Sequence, residues 1–261
     1  RVLTGVDPVP GTDSHIPDRY SLGAQGIYVA GDYIYNHFAG AGLEPSYHIF
    51  DWAYGPSVIG EIRGSTRPDD IYIICAHYDA VLHTPGCDDN GSGTAGVMTA
   101  ARILGQYRCD ATVRCIAFSG EEQWMVGSLA YARAAHLAGE NIVAAINLDM
   151  ILHPGFDNAE PDPDYDLDIE TDPNSSWLAE YLSQQYAQYT PIDYQVLVDP
   201  DAVSDHWAFW QWGYNAVGAS ENTVWEIWGG SNDTYHQPTD TMDTPDFDWE
   251  FGRHAIRGAV A

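Results

Sequence analysis

Three short apolar segments most constrain the fold of this chain. Residues 71–76, 112–118 and 142–148 lack the polar alternation of a strand with one wet face, so we predict strands buried on both faces. The stretches over 91–107 and 124–138 lie between them and are typical of helices. Strands that alternate with helices predict an α/β fold with a central, mostly parallel mixed sheet and helices on both faces.

The remaining segments extend this pattern along the whole chain. No linker or internal repeat divides the 261 residues, so we expect one domain over 1–261 that begins with an extended arm at 1–20. Apolar spacing and turn residues predict further helices and strands. The expected helices span 24–41, 176–189, 205–212 and 248–260, and the expected strands span 47–54, 57–63, 194–198 and 215–219.

The charge of the chain excludes several classes of partner. The 10 basic residues are all arginine and oppose 38 acidic residues, for a net charge of −28. Such a surface disfavours nucleic acids and anionic membranes, and no apolar run is long enough to cross a bilayer. Dense carboxylates keep a protein soluble, or adapt it to salt or acid, and they attract substrates that carry a free amine. We expect an extracellular protein whose leader has been removed, and the oligomeric state is left open.

The four cysteines leave their redox state undecided. Cys75 and Cys87 flank one polar motif and could form a disulfide, as could Cys109 and Cys115 across a short turn. Cys75 and Cys115 also lie in apolar runs, where free buried thiols are equally expected.

Five short motifs with metal-binding side chains occur where predicted strands meet loops. They are Ala76-His77-Tyr78-Asp79, Gly86-Cys87-Asp88-Asp89-Asn90, Ser119-Gly120-Glu121-Glu122, Asn147-Leu148-Asp149-Met150 and Tyr235-His236-Gln237-Pro238. Taken singly, each has a commoner structural explanation, such as a turn or a helix-dipole partner. Because ligands gather at the carboxyl ends of parallel strands, their joint occurrence predicts a shared site.

The side chains of these motifs are those that two zinc ions would require. Two imidazoles and three carboxylates can hold two ions with a water between them when one carboxylate is shared. We assign Asp89 as the shared ligand, His77 and Asp149 to one ion, and Glu122 and His236 to the other. Another divalent metal could occupy the same ligands.

The neighbours of these ligands have predicted roles in the reaction and in orienting the ligands. Glu121 is placed as the general acid/base, and Tyr235 as a hydrogen-bond donor to a developing oxyanion. Asp79 is expected to orient His77, and Asp240 to orient His236. A serine-hydrolase triad within Ser204-Asp205-His206 is excluded because adjacent residues cannot align as nucleophile, base and orienting group.

Together these runs resemble the zinc-dependent exopeptidases related to bacterial secreted leucyl aminopeptidases. Residues 91–93, Ser204-Asp205-His206 and 239–243 extend the resemblance, which covers the chain from about residue 21 to its end. It implies the same five ligands, Glu121 as acid/base, and substrates that are peptides with a free N-terminus. It also implies that Met150 lines the pocket for the first side chain, and Glu221, which falls near where other members line that pocket, is assigned to it as well.

Three alternatives remain open at the level of sequence. A glutaminyl cyclase of the same fold usually has Trp-His where this chain has Tyr235-His236. A metal-free binding protein should have lost ligands, and a carboxypeptidase needs a cation for the substrate carboxylate. Separately, the acidic segment 157–172 could bind calcium, although it lacks the glycine and spacing of an EF-hand loop, which favours a solvated loop.

Overall fold

The computed structural model describes residues 1–154, 167–198, 203–223, 227–228, 230 and 232–261. Its described helices are α1 (Gln25–Gly40), α2 (Gly91–Leu104), α3 (Val126–Ala138), α4 (Ser176–Tyr189), α5 (Asp205–Trp210) and α6 (Trp249–Val260). Its described strands are β1 (Glu44–His48), β2 (Ser57–Ile62), β3 (Arg67–His77), β4 (Ala111–Phe118), β5 (Asn141–Leu148), β6 (Leu167–Thr171), β7 (Tyr194–Val198) and β8 (Ala216–Ser220). The predicted α/β class is therefore confirmed.

The eight described strands form one mixed sheet in the order β1-β2-β4-β3-β5-β8-β6-β7. The central strands β4, β3, β5 and β8 run parallel, whereas β1 and β2 are antiparallel at one edge. At the other edge β6 and β7 run parallel to each other and antiparallel to β8. Consequently β3, β4 and β5 end at the same edge of the sheet, where their following loops meet.

Each face of the sheet has its own apolar core. Along β3, Ile74 and Ala76 pack on one face with α1, α2, α4 and α6, whereas Ile73 and Cys75 pack on the other with α3 and α5. This alternation along one strand explains why the run is apolar throughout, since both faces are covered. No helix among the described residues is both long and apolar enough to span a bilayer.

Two expectations about local structure are wrong. The strand expected over 47–54 ends at His48, because Asp51 then forms a turn in which its side chain accepts a hydrogen bond from the Ala53 amide at 2.9 Å. The arm at 1–20 is not simply extended: its first residues form turns, and Leu3 and Ile16 are buried in the core.

Strand β6 was missed because it lies in an acidic, proline-rich segment that composition assigns to a loop. Its Glu170 carboxylate lies 3.4 Å from the His206 ring, and Asp172 accepts a hydrogen bond from the Ser175 amide at 2.8 Å. The rest of the calcium segment, 157–166, lies outside the described residues, so calcium binding stays a prediction.

All four cysteines are free. Cys75 and Cys115 are buried thiols, as one alternative expected, while neither proposed disulfide forms. Cys87 instead packs against Met242, with 3.5 Å between the two sulfur atoms.

Candidate metal centre

Four loops bring the five predicted ligands to the carboxyl edge of the sheet, because His77 and Asp89 lie at the two ends of the loop that joins β3 to α2. His77 is the last residue of β3, Asp149 directly follows β5, and the turn after β4 contains Glu122. The loop before α2 supplies Asp89, and the segment before α6 supplies His236. We call these five residues the cage.

The cage consists of two groups that share Asp89. In one group the His77 Nε2 atom lies 3.3 Å from Asp89 Oδ1 and 3.3 Å from Asp149 Oδ1. In the other, the His236 Nε2 atom lies 3.2 Å from Asp89 Oδ2 and 3.1 Å from Glu122 Oε2. The two oxygens of one carboxylate therefore face different groups, which is the arrangement that a bridging ligand requires.

These separations fit zinc. Ligand bonds of about 2.0–2.1 Å at tetrahedral angles place neighbouring donor atoms about 3.3 Å apart, close to the distances in both groups. Glu122 Oε1 and Asp149 Oδ1 are buried and have no hydrogen-bond partner among the described residues. Imidazole nitrogens and carboxylate oxygens are also the donors that zinc takes, so the cage could hold two such ions.

The Glu121 carboxylate lies beside the cage without belonging to either group. Its Oε2 atom is 3.8 Å from His77 Nε2, and its side chain is 14% exposed. Burial, followed by the nearby Glu122 and Asp149 carboxylates, raises the pKa of Glu121 well above its usual value, while His77 opposes the shift. A carboxyl group whose pKa is raised in this way suits a general acid/base.

The two residues expected to orient the histidines bind backbone amides, and one of them, Asp79, also contacts His77 Nδ1 through its backbone carbonyl at 3.2 Å. The Asp79 carboxylate accepts hydrogen bonds from the amides of Glu121 and Glu122, each at 3.3 Å, and stays 3.6 Å from His77 Nδ1. Asp240 accepts hydrogen bonds from the Asp88 and Asp89 amides at 2.8 and 3.1 Å, and the prediction that it orients His236 is corrected. Both carboxylates thus fix loops that bear ligands.

The residues expected to line the substrate pocket have different surroundings. Met150 is buried and lines a cavity of about 40 Å³ beside Asp149. The Glu221 carboxylate does not line this cavity and accepts hydrogen bonds from the Leu152 and His153 amides at 3.0 and 2.5 Å, and its place in a substrate pocket stays a prediction. Sequence adjacency could not show that these amides point toward it.

Tyr235 stacks on a cage ligand. Its ring lies 3.7 Å from the His236 ring between centroids, with 21° between the planes. Burial, and then the carboxylates of Asp89 and Glu122, raises the pKa of the Tyr235 hydroxyl, so the hydroxyl keeps its proton and can donate a hydrogen bond.

The sequence did not reveal which side chain orients Asp149. Ser204 Oγ donates a hydrogen bond to Asp149 Oδ2 at 2.5 Å and accepts one from the Asn147 amide group at 2.8 Å. The run Ser204-Asp205-His206 had been recognised only as part of the resemblance. Its role follows from the packing of α5 beside the end of β5, which no local pattern contains.

Backbone strain is concentrated around the cage. Among the described residues, five that are not glycine adopt a positive φ: His83, Trp124, Met125, Met150 and His236. All five are in the metal motifs or the loops that follow them. Left-handed backbone in bulky residues is costly and is commonly found at functional sites.

Residues 57–258 match the profile of peptidase family M28, which covers more than half of the chain. The chain therefore belongs to peptidase family M28, and the resemblance inferred from its motifs is confirmed at the level of the family.

Similar proteins point to related enzymes. A probable leucine aminopeptidase 2 from Arthroderma benhamiae is 32% identical over 144 residues, which are 53% of this chain and 28% of that protein. The match thus spans less than a third of the curated relative.

Solved structures share the architecture. A zinc aminopeptidase from Bacillus subtilis is 25% identical with a TM-score of 0.66, covering 80% of this chain and 49% of that chain. A glutaminyl cyclase from Porphyromonas gingivalis is 18% identical with a TM-score of 0.72, covering 94% of this chain and 91% of that chain. At that identity, the cyclase shows a common fold only.

Proposed function

We propose that this protein is a zinc aminopeptidase that holds two ions and removes the first residue of peptides with a free N-terminus. The observation that carries the proposal is the Asp89 carboxylate, whose two oxygens face two separate histidine–carboxylate groups. Membership of a peptidase family and a relative named as a leucine aminopeptidase support the same reaction.

The bound zinc, Glu121 and Tyr235 would each have a separate role in the reaction. Bound zinc would supply a Lewis acid that lowers the pKa of a coordinated water and polarises the scissile carbonyl. Glu121 would accept the proton of the attacking water and deliver it to the leaving amine. The Tyr235 hydroxyl would donate a hydrogen bond to the oxyanion that develops on the carbonyl.

Several features favour a substrate amine over a carboxylate. The cage brings together the carboxylates of Asp89, Glu122 and Asp149, and Glu121 adds a fourth beside them. Two bound zinc ions would offset these four charges, so the preference for an ammonium group over the terminal carboxylate that a carboxypeptidase must bind rests on the net charge of −28 of the whole chain. An extracellular location stays a prediction of the sequence.

The proposal is tested by turnover of aminoacyl p-nitroanilides, with N-acetylated versions as matched controls. We expect release from the free-amine substrates only, loss of turnover with a chelator, and recovery on adding zinc. A glutaminyl peptide provides the decisive comparison with a cyclase. Loss of ammonia without cleavage would assign the cyclase reaction, and the absence of chelator-sensitive chemistry on any substrate would exclude both enzymes.

Replacement of Glu121 tests the proposed base. Because Glu121 belongs to neither ligand group, Glu121→Gln should retain zinc and lower kcat by about 10²–10⁴-fold. Metal content measured on the same preparation is the control. Near-normal turnover with full zinc content would show that another group moves the proton.

A further inference from the structure

The Arg19 side chain is buried beneath the cage in an unusual way. All ten arginines lie in the described part of the chain, and Arg19 is the one that is buried, with 1% of its surface exposed. Its hydrogen bonds are to backbone carbonyls: Nε donates to Tyr78 at 2.6 Å, Nη1 to Leu3 and Pro85 at 2.7 Å, and Nη2 to Gly86 at 2.7 Å. Because backbone carbonyls carry no net charge, these hydrogen bonds do not neutralise the positive charge of the guanidinium.

Three of these four carbonyls belong to the loop that joins β3 to α2, which begins directly after His77 and contains the shared ligand Asp89. Tyr78 directly follows His77, and Gly86 lies three residues before Asp89. Arg19 also fixes the start of this loop through its own carbonyl, which accepts a hydrogen bond from the Ala80 amide at 3.3 Å. One rigid, planar group thus joins the two ends of this loop, which supply both ligands of a single zinc-binding group.

The close fit around Gly86 shows how little freedom this contact leaves. A Cβ at Gly86 would lie 2.6 Å from Arg19 Nη2 and 2.5 Å from the Asp89 carbonyl oxygen. The Gly86 carbonyl also accepts a hydrogen bond from the Gly91 amide at 3.0 Å, which fixes the start of α2 behind Asp89. Displacement of the guanidinium would therefore be transmitted directly to the backbone of the shared ligand.

Two residues after Arg19, the same segment reaches the turn that carries Glu121 and Glu122. Ser21 Oγ forms a hydrogen bond of 2.6 Å with Ser119 Oγ, and the Ser21 carbonyl accepts a hydrogen bond from the Gly55 amide at 2.9 Å. Residues 19–21 therefore contact two of the four loops that form the metal centre.

We propose that Arg19 is a positioning residue for the metal centre, which sets the separation of His77 and Asp89 and thereby the affinity for zinc. This inference rests on the proposed function only in that the cage binds zinc. Groups that orient metal ligands commonly change metal affinity by about 10–100-fold when they are replaced. We expect a loss of that size for Arg19→Met and a smaller loss for Arg19→Lys, which keeps the charge without the planar fork.

The experiment measures zinc affinity of the apoprotein by competition with a fluorescent chelator, independently of turnover. Arg114→Met is the matched control, because Arg114 is also largely buried, at 14% exposure, and binds Glu61 and Glu140 rather than a ligand loop. This control should lose stability and keep its zinc affinity. Near-UV circular dichroism on each sample establishes that the variants are folded.

Each outcome decides the role of Arg19. A selective loss of affinity in folded Arg19→Lys or Arg19→Met supports it, and partial recovery of Arg19→Ala by millimolar methylguanidine would strengthen it. Unchanged affinity in a folded variant overturns it. So would failure of both Arg19→Lys and Arg19→Met to fold in saturating zinc while Arg114→Met folds, since Arg19 would then serve the fold generally. A parent protein that binds no zinc would instead contradict the proposed function.

Discussion

The cage and the Arg114 cluster both gather acidic side chains, yet their electrostatics differ. In the Arg114 cluster, formed with Glu61, Tyr131 and Glu140, the guanidinium donates four hydrogen bonds of 2.6–3.0 Å. In the cage, two imidazoles face three carboxylates, and buried carboxylate oxygens remain without hydrogen-bond partners among the described residues. In the Arg114 cluster, protein groups already balance the charges and hydrogen bonds. In the cage, bound cations could balance the excess negative charge.

The two regions also differ in backbone strain. Strands β2 and β4 and helix α3, which contribute Glu61, Arg114 and Tyr131, contain no described residue other than glycine with a positive φ, whereas the loops around the cage contain five. Strain is retained where function, rather than stability, determines the geometry. The comparison therefore predicts that replacements in the cage remove metal and activity, and that replacements in the Arg114 cluster remove stability.

The largest effect is expected from Asp89→Asn. Since Asp89 is the one residue common to both groups, its loss should weaken both ions and lower kcat/KM by more than about 100-fold. Zinc content and turnover of an aminoacyl-anilide measure the effect. Retention of two zinc ions and normal turnover would contradict the assignment of Asp89 as the shared ligand.

Arg114→Met should have an effect of intermediate size, and this effect should be on stability rather than on activity. Breaking a buried ion pair costs about 3–5 kcal/mol, and we expect about 2 kcal/mol here because Glu61 and Glu140 are 23% and 30% exposed and stay partly solvated. Urea unfolding gives the change in stability, and kcat of the folded enzyme should be unchanged. A large fall in kcat without loss of stability would remove the distinction between the two regions.

The smallest effect is expected at Trp124, which is 76% exposed with φ +70°. Asparagine tolerates left-handed backbone better than tryptophan does, so Trp124→Asn should raise the free energy of unfolding by up to about 1 kcal/mol. Trp52→Asn is the matched control, because Trp52 is 84% exposed and is not among the residues with positive φ. Equal changes in both variants would show that strain at Trp124 has no measurable cost.

Local sequence was sufficient for much of the fold and for the identity of the side chains that form the cage. The apolar runs predicted β3, β4 and β5, because strands covered on both faces need apolar residues at every position. The motifs at their ends identified the side chains that the structure brings together, since parallel strands end at the same edge of a sheet. Strand β6 was not predicted because the acidic composition of its segment indicates a solvated loop, and composition contains no information about pairing with β8.

The tertiary structure alone decided how the ligands are held. Asp240 binds the amides of Asp88 and Asp89, more than 150 residues away along the chain, and Ser204 reaches Asp149 across 55 residues. Arg19 likewise joins the two ends of a loop that follows it by about 60 residues. The type of a ligand is a property of one residue, so sequence can record it. Its orientation depends on hydrogen bonds whose partners become neighbours only when the chain has folded.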